Sequence, residues 1–333
     1  MATYKDIHGQ NIPIRASDPS NPLTGEVWYN STTNIFKVIE TTSAGAWATG
    51  GALPAARQYA GLAGTQTASI LAGGQSPGAY NNNNSYSYNG TSWTATPNLG
   101  TSRRQATMMG TGTSALLAGS GTSPPSTGIT TVEEWSGSSW TAGGSIATLR
   151  YGNFSGGTQT AAVIAGGSGP SVYFDDTEEY NGSSWENGTN MPANQGGGTS
   201  GADLLTDMYC VAGGPGNKTT SVVYDGTNWT SGASLSGDGR RGTGGAIATS
   251  SNPGFVTCGE TATTNPISVT EEWNGSAFSS STACPTAHRD QATGDGGTGA
   301  AGIVAGGYST AISTNVFEWT GSGTKQTKTI ASS

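Results

Sequence analysis

The sequence has little charge, little histidine and no long apolar run. Only 10% of its 333 residues are charged and only two are His, at positions 8 and 288. A metal site built from several His, or a Ser-His-Asp triad, therefore has almost no material. No run of about 18 apolar residues occurs, and the start "MATYKDIHGQ" lacks the basic and apolar parts of an export signal. We expect no membrane insertion, no metal or other cofactor, and no signal peptide.

Cysteine and basic residues are also scarce. The three Cys, at positions 210, 258 and 284, show no CxxC spacing, which indicates small buried apolar side chains rather than disulfides or zinc ligands. The net charge of -8 and the pI of about 4.7 argue against a nucleic-acid partner, because such binding needs clustered Lys and Arg. Instead the chain is rich in Gly (54 residues), Trp (nine) and Tyr (twelve), which favours short strands and tight turns over helices.

A repeat runs through most of the chain. An apolar phrase that ends in a glycine pair recurs at intervals of 45 to 48 residues, as "ILAGG" (70–74), "LLAGS" (116–120), "VIAGG" (163–167), "CVAGG" (210–214), "VTCGE" (256–260) and "IVAGG" (303–307). Each is followed by an aromatic turn phrase such as "YNGTSW" (88–93) or "YNGSSW" (180–185). Asn-Gly and its variants supply the positive φ angles of a tight hairpin, so each unit is predicted to contain four short strands.

These motifs resemble the kelch-type β-propeller, in which a Gly-Gly pair ends the second strand and is followed by an aromatic, a turn and a Trp. The resemblance implies an all-β propeller of six four-stranded blades over residues 47–333, with seven blades left open. The near-verbatim units also resemble kelch-like proteins encoded by marine bacteriophages. The fifth and sixth units depart from the pattern, with Cys258 for the first Gly and Thr324 for the Trp, so we expect irregular blades there.

Residues 1–46 lack the repeat and contain "EVWYNSTTNIFKVIE", two alternating strands around a polar turn. This segment resembles the small β-meander near the start of many phage fibre and tail proteins, which implies attachment to other virion proteins. The alternatives are that its strands pair with the C-terminal "KQTKTI" to close the ring, or that they form part of a seventh blade. Which terminal strand closes the ring stays open at this point.

The candidate binding residues lie in loops. In five of the six units, arginines cluster where the chain enters the next blade, and the fourth has "NQGGG" around Gln195 instead. They predict a broken ring on one face, able to hold an anionic ligand or a sugar: Arg57, Arg103, Arg104, Arg150, Arg240, Arg241 and Arg289. The alternative is that each Arg bonds backbone carbonyls or a Glu. An Arg150→Ala variant separates the two, through lost binding or lost stability. Tyr80 and Asn82, in the "YNNNN" loop tip, are further candidates.

The acidic doublets "EEW" and "EEY" recur in several units, which favours a structural role over paired acid–base catalysis. We therefore expect a non-enzymatic bacteriophage virion protein, as a tail, fibre or capsid-surface component that is made in the host cytoplasm and is oligomeric within the particle. Its propeller would serve protein–protein contact or host attachment. The alternatives are a module that binds a host surface glycan and, more distantly, a secreted oxidase or lyase.

Overall fold

The fold is all-β. In this computed structural model the described residues are 12–19, 23, 25–41, 44–121, 128–201, 205–247, 252–294, 301–323 and 325–330, and they form 28 strands in seven four-stranded sheets. Among these residues there is no helix, and hence none long and apolar enough to span a membrane. The Gly-, Thr- and aromatic-rich composition accounts for this outcome, because such residues disfavour helices and fit a pleated surface.

The first strands of the chain come before the repeat. Strands β2 (Val27–Asn30) and β3 (Ile35–Thr41) form an antiparallel hairpin around the polar turn at 31–34, and β1 (Ile14–Arg15) pairs parallel with β2. Trp28 in β2 is fully buried and its indole N–H donates to Asp18. The next strand is β4 (Ala46–Thr49), which belongs to a different sheet.

Five sheets follow as consecutive antiparallel meanders. Their strands, in chain order, are β5 (Gly61–Thr65), β6 (Ala68–Ala72), β7 (Ser85–Tyr88) and β8 (Trp93–Thr96) in blade 1; β9 (Thr107–Thr111), β10 (Ser114–Ala118), β11 (Val132–Trp135) and β12 (Trp140–Gly143) in blade 2; β13 (Phe154–Gly157), β14 (Ala162–Ala165), β15 (Thr177–Tyr180) and β16 (Trp185–Asn187) in blade 3; β17 (Thr199–Gly201), β18 (Met208–Val211), β19 (Ser221–Tyr224) and β20 (Trp229–Ser231) in blade 4; and β21 (Gly244–Ile247), β22 (Gly254–Thr257), β23 (Thr270–Trp273) and β24 (Phe278–Ser280) in blade 5.

The sixth blade joins the two ends of the repeat. It contains β25 (Ala292–Gly294), β26 (Ala301–Ala305) and β27 (Val316–Thr320), and its fourth strand is β4. Trp47 of β4 lies opposite Trp319, with ring centroids 4.9 Å apart, and so supplies the aromatic residue that the sixth unit lacks in sequence. The first strands β5, β9, β13, β17, β21 and β25 contact one another in this order and back to β5. The predicted propeller is confirmed, and its ring closes with six blades.

The last strand, β28 (Lys325–Thr329), pairs antiparallel with β3. The chain thus divides into two compact units, Ala46–Gly321 and a second unit with Met1–Gly45 and Ser322–Ser333. The sequence analysis assigns the C-terminal strand to the propeller, within residues 47–333. In the structure β28 pairs with the N-terminal strand β3, as one of the alternatives predicted, but this pairing does not close the ring. The ring is closed by β4, which pairs with β27.

Apolar cores fill the spaces between neighbouring blades. Between blades 1 and 2, for example, Ile70 packs with Leu117 and Trp135, and all three are at most 1% exposed. Equivalent clusters stand between each other pair of neighbours around the ring. One blade cannot bury both of its faces, so six repeats in a ring are needed to build this core.

The glycine pairs hold each blade to the loop that leaves it. At Gly166 and Gly167 both φ angles are positive, and the Gly167 N–H donates to the Gln195 carbonyl at 2.8 Å. A Cβ at position 166 would lie 2.1 Å from that same carbonyl oxygen. The equivalent N–H makes the same bond in every blade; in blade 4 it belongs to Gly213, so the structural pair there is Ala212–Gly213, one residue before the glycine pair of the sequence. The glycine pair is therefore needed for this backbone conformation and close approach, which agrees with the lack of a helix after it.

Candidate functional site

Most arginines of the predicted ring are buried. The residue four positions before each first strand enters the interior from the loop between blades, and we call it the loop-entry residue: Arg57, Arg103, Arg150, Gln195, Arg240 and His288. Each is at most 3% exposed. Burial of a guanidinium is costly unless the charge is paired and hydrogen-bonded, so each needs a partner inside its blade.

The partner is a third-strand side chain of the same blade. In blade 2 Arg103 Nη2 lies 2.5 Å from Glu133 Oε1, and in blade 3 Arg150 Nη2 lies 2.7 Å from Glu178 Oε1. Blade 5 repeats the pair through Arg240, at 2.6 Å from its Glu. These carboxylates also accept backbone N–H groups of the entering loop, for example Gly100 N–H at 2.7 Å. The first Glu of each doublet thus fixes a loop.

Blades 4 and 6 replace both partners, whereas blade 1 keeps the Arg and has Tyr86 at the Glu position. Blade 4 has Gln195 and, at the Glu position, Val222 in β19; Gln195 instead donates to the Ala212 carbonyl. Blade 6 places His288 beside Phe317, with ring centroids 5.9 Å apart. In blade 1 the Arg57 guanidinium lies 5.9 Å from the centre of the Tyr86 ring. Because each loop-entry residue is buried and contacts its own blade, these residues are interpreted as parts of the blades rather than a ligand surface.

The second Glu of the doublets, and Glu318 at the equivalent position of blade 6, link neighbouring blades. The Tyr180 hydroxyl of blade 3 donates to Glu134 of blade 2 at 2.6 Å, and the Tyr88 hydroxyl of blade 1 donates to Glu318 of blade 6 at 2.7 Å. Burial and this bond to a carboxylate raise the pKa of Tyr180 to about 12. The tyrosine of the "YNGSSW" phrase is thus engaged twice, with its Trp partner at 4.9 Å across the hairpin and with the adjoining blade.

A closed ring of backbone hydrogen bonds surrounds the propeller axis. We call it the axial ring; it consists of the residues two positions before each first strand, Tyr59, Gln105, Gly152, Gly197, Gly242 and Asp290. Each N–H donates to the carbonyl of the preceding member, over 2.6 to 3.0 Å. All six have positive φ, between 53° and 69°. The three non-glycine members are held in this region at a cost of about 1–3 kcal/mol each, which points to a use for their side chains.

Two cavities adjoin the axial ring. The first, of about 160 Å³, lies in the channel among first-strand residues such as Ser155, Ser200 and Thr293. The second, of about 430 Å³, lies on the outer side, where the loops between second and third strands project. We call the second cavity the axial pocket, and its floor is the axial ring. Its volume lies in the ~300–1,000 Å³ range of small-molecule sites.

One wall of the axial pocket is charged and comes from blades 5 and 6. Arg241 Nε lies 2.7 Å from Glu260 Oε1, and the other oxygen of that carboxylate lies 3.6 Å from Arg289 Nε. Arg289 Nη1 in turn lies 2.5 Å from Asp290 Oδ2. Burial raises the pKa of Asp290 to about 6, against the opposing effect of Arg289. The pKa of Tyr59 is raised by its own burial and by the neighbouring Asp290 carboxylate.

The opposite wall is aromatic and apolar. Tyr151 and Tyr173 line it with Val172, whose side chain is 53% exposed. The Tyr151 ring is fixed because its hydroxyl donates to the Gly169 carbonyl at 2.8 Å. The hydroxyl of Tyr173 hydrogen-bonds Arg241, so the two walls meet at that side chain.

The predicted site residues therefore separate into distinct groups. Arg57, Arg103 and Arg150 are buried in blades, whereas Arg241 and Arg289 line the axial pocket. Tyr80 is 56% exposed and lies 5.4 Å from the Arg104 guanidinium, which also lies 5.8 Å from the Tyr59 ring. The Asn82 amide donates to the Gly74 carbonyl and braces its own loop.

Sequence reasoning missed most of the axial pocket, including Tyr59, Tyr151, Tyr173, Glu260 and Asp290. The signal for two of them was present. In the aligned units the axial-ring position is Gly in three and a larger residue in the others, and such a departure within a repeat marks a site with its own constraint. Among the described residues no cluster of three or more His, Cys, Asp or Glu side chains could hold a metal ion.

Comparison with known proteins supports the architecture alone. No protein-family model and no curated protein sequence matches the chain. Among solved structures, one titled "Structure of YjhT" is similar, with a TM-score of 0.68 over 84% of this chain and 99% of that chain, at 11% sequence identity. At this identity the likeness shows a shared β-propeller fold.

Proposed function

We propose that the chain is a non-enzymatic structural protein of a bacteriophage virion, a kelch-like propeller displayed at the particle surface for protein–protein contact or host attachment. In this proposal residues 1–46 bind other virion proteins, and the protein is oligomeric within the particle. The observation that carries the proposal is that the charged residues fall into two groups, one inside the propeller and one at its axial pocket. The repeated Arg and Glu are used inside and between blades, and the axial pocket is left as a recognition surface on a rigid frame.

The test is the location of the protein. An antibody raised against the propeller should decorate purified particles of the encoding phage in electron micrographs, at a fixed place on each particle. Preimmune serum is the matched control. Undecorated particles, together with free protein in the lysate, would refute a virion role.

A second candidate is a receptor-recognition module that binds a host surface glycan. The axial pocket favours it, because a charged wall with Arg241 and Glu260 faces tyrosines across an open cavity. Arrays of host polysaccharides and defined oligosaccharides test this candidate with the purified full chain. Lack of binding to every glycan would leave the assembly role alone.

The non-enzymatic part of the proposal rests on how the carboxylates are used. The doublets, which offer the most obvious carboxylate pairs, are bound to arginines, backbone N–H groups and tyrosines of the blades. The competing interpretation is a secreted oxidase or lyase. Stoichiometric copper or zinc in the purified protein, or release of saccharide fragments from host polysaccharide, would contradict a non-enzymatic role.

A further inference from the structure

We infer that the axial pocket binds an uncharged saccharide of one or two rings, held between the Arg241–Glu260–Arg289–Asp290 wall and the Tyr151–Tyr173 wall. The inference rests on the glycan-binding candidate above and specifies where the glycan binds and what charge it carries. Three features of the pocket support it, namely its charge balance, its aromatic wall and its floor.

The charge balance excludes a strongly ionic ligand. The wall contains two guanidinium groups and two carboxylates, joined in one chain of contacts from Arg241 through Glu260 and Arg289 to Asp290. A carboxylated or aminated ligand would have to displace one of these ion pairs and leave its partner without a counter-charge. A hydroxyl group has no such conflict. It can donate to a carboxylate and accept from a neighbouring guanidinium at the same time, and adjacent sugar hydroxyls repeat that pattern.

Donor capacity remains at this wall. Arg241 is 48% exposed, and its Nε makes the contact with Glu260, while a guanidinium carries five N–H donors in a planar fork. Tyr173 also interacts with this guanidinium. The side chain is thus oriented before a ligand arrives, which lowers the entropic cost of binding.

The aromatic wall provides a flat apolar surface opposite the charged one. Tyr151 is fixed through its hydroxyl, and Val172 extends the apolar area beside it. Tyrosine gives a large rigid contact area at small entropic cost, with an apolar face and a polar edge. A sugar ring has the matching character, with C–H groups on its faces and hydroxyls at its rim.

The floor adds an independent argument. In the axial ring Tyr59, Gln105 and Asp290 have left-handed backbone conformations, although glycine fills the same position in three blades. A bulky side chain at such a position is retained when it has a use there. All three residues line both cavities that adjoin the axial ring, so polar side chains stand at the floor of the axial pocket. The pocket floor is therefore polar, with the uncharged side chains of Tyr59 and Gln105 beside Asp290. Its six residues are joined by backbone hydrogen bonds around the axis.

The test compares neutral and charged saccharides on three forms of the full chain. A glycan array of neutral, uronate-containing and amino-sugar oligosaccharides identifies ligands, and isothermal titration then measures affinity for the wild type and for Glu260→Gln and Glu186→Gln. Glu186 lies exposed on β16, outside the axial pocket, so the second variant is the matched control for loss of one carboxylate. Melting temperatures verify that both variants fold.

We expect neutral saccharides to bind the wild type and Glu186→Gln alike, and to bind Glu260→Gln at least tenfold more weakly. The same variant should gain affinity for glucuronate at least tenfold, because Arg241 and Arg289 lose their shared carboxylate. Preferential binding of uronates or amino sugars by the wild type would overturn the neutral ligand while the glycan-binding candidate stands. Neutral binding that Glu260→Gln leaves unchanged would overturn the site. Absence of binding across the array would refute the inference and the glycan-binding candidate together, and the virion role would still be judged by its imaging test.

Discussion

The buried pair of blade 3 offers the sharpest test of how this fold is held together. Arg150 and Glu178 are each at most 1% exposed, and Arg150 also donates to the carbonyls of Gly166 and Asp176. Arg150→Gln alone leaves the Glu178 carboxylate buried without its cation. Breaking a buried pair in this way costs about 3–5 kcal/mol. For a unit of this size about 2–4 °C of melting temperature corresponds to 1 kcal/mol, so a fall of roughly 6 °C or more is expected.

The chain itself supplies the compensating change. Blade 4 has Gln195 and Val222 at the two equivalent positions, so the double variant Arg150→Gln/Glu178→Val copies a pair that already works in this propeller. It still loses the two backbone N–H bonds that Glu178 accepts, from Ala147 and Thr148. We expect the double variant to be destabilised by about 1–3 kcal/mol, less than either single variant. The coupling energy should then exceed about 2 kcal/mol.

The measurement is chemical denaturation followed by Trp fluorescence and by circular dichroism, with coincident transitions required before free energies are compared. Unchanged denaturation slopes would show that the variants differ in stability and not in the compactness of either state. The reasoning fails if Arg150→Gln costs less than about 1 kcal/mol, or if the two single costs simply add in the double variant. Additive costs would mean that the pair acts through separate contacts. A stable Arg150→Gln variant that lost ligand or partner binding would instead revive the recognition role.

Three further predictions follow from individual positions. Ala212 has φ of 66° where most blades have glycine, so Ala212→Gly should stabilise the protein by about 0.5–1 kcal/mol in denaturant titrations. At the equivalent position of blade 3, a Cβ would lie 2.1 Å from a carbonyl oxygen, so Gly166→Ala should destabilise the protein by a larger amount. Effects of equal size would contradict the strain argument. Tyr180→Phe removes the bond to Glu134 between blades and should lower stability by about 1.5–3 kcal/mol, with no loss if the carboxylate is fully rehydrated. Asp290 has its pKa raised to about 6, so the folded state binds this proton more tightly than the unfolded state. The stabilisation from the protonated Asp290 is full below about pH 4 and is lost as the pH rises through about 6, a change of up to about 3 kcal/mol in the free energy of unfolding. Asp290→Asn should remove this change from the profile of stability against pH.

Much of the architecture follows from local chemistry in the repeat. The glycine pair, the Asn-Gly turn and the flanking aromatics each specify a backbone conformation or a cross-strand contact within one blade, and their register gives the number of repeat units. The correlated change of Arg150 with Glu178, and of Gln195 with Val222, is also visible in the aligned units. The structural role of the loop-entry residues was thus within reach of the sequence.

The sequence did not predict which strand closes the ring. Trp47 stands at the start of the predicted propeller, ahead of the first glycine phrase, and has no turn phrase beside it, yet it completes the sixth blade opposite Trp319. The pairing joins residues far apart in the chain, so it depends on the curvature of five preceding blades and on the cores between them. The same holds for β28, which pairs with β3 and not with a blade.

The sequence by itself determined six repeat units of short strands and tight turns, because each unit carries its own turns, strand pattern and internal partners, but it left a seventh blade open. Only the tertiary structure decided which arginines line the axial pocket. Neighbouring residues such as Arg240 and Arg241 have the same chemistry, yet the first is buried against a Glu and the second lines the axial pocket. Neighbouring side chains lie on opposite sides of the loop. When six loops meet at one axis, one side faces the interior of a blade and the other faces the axial pocket.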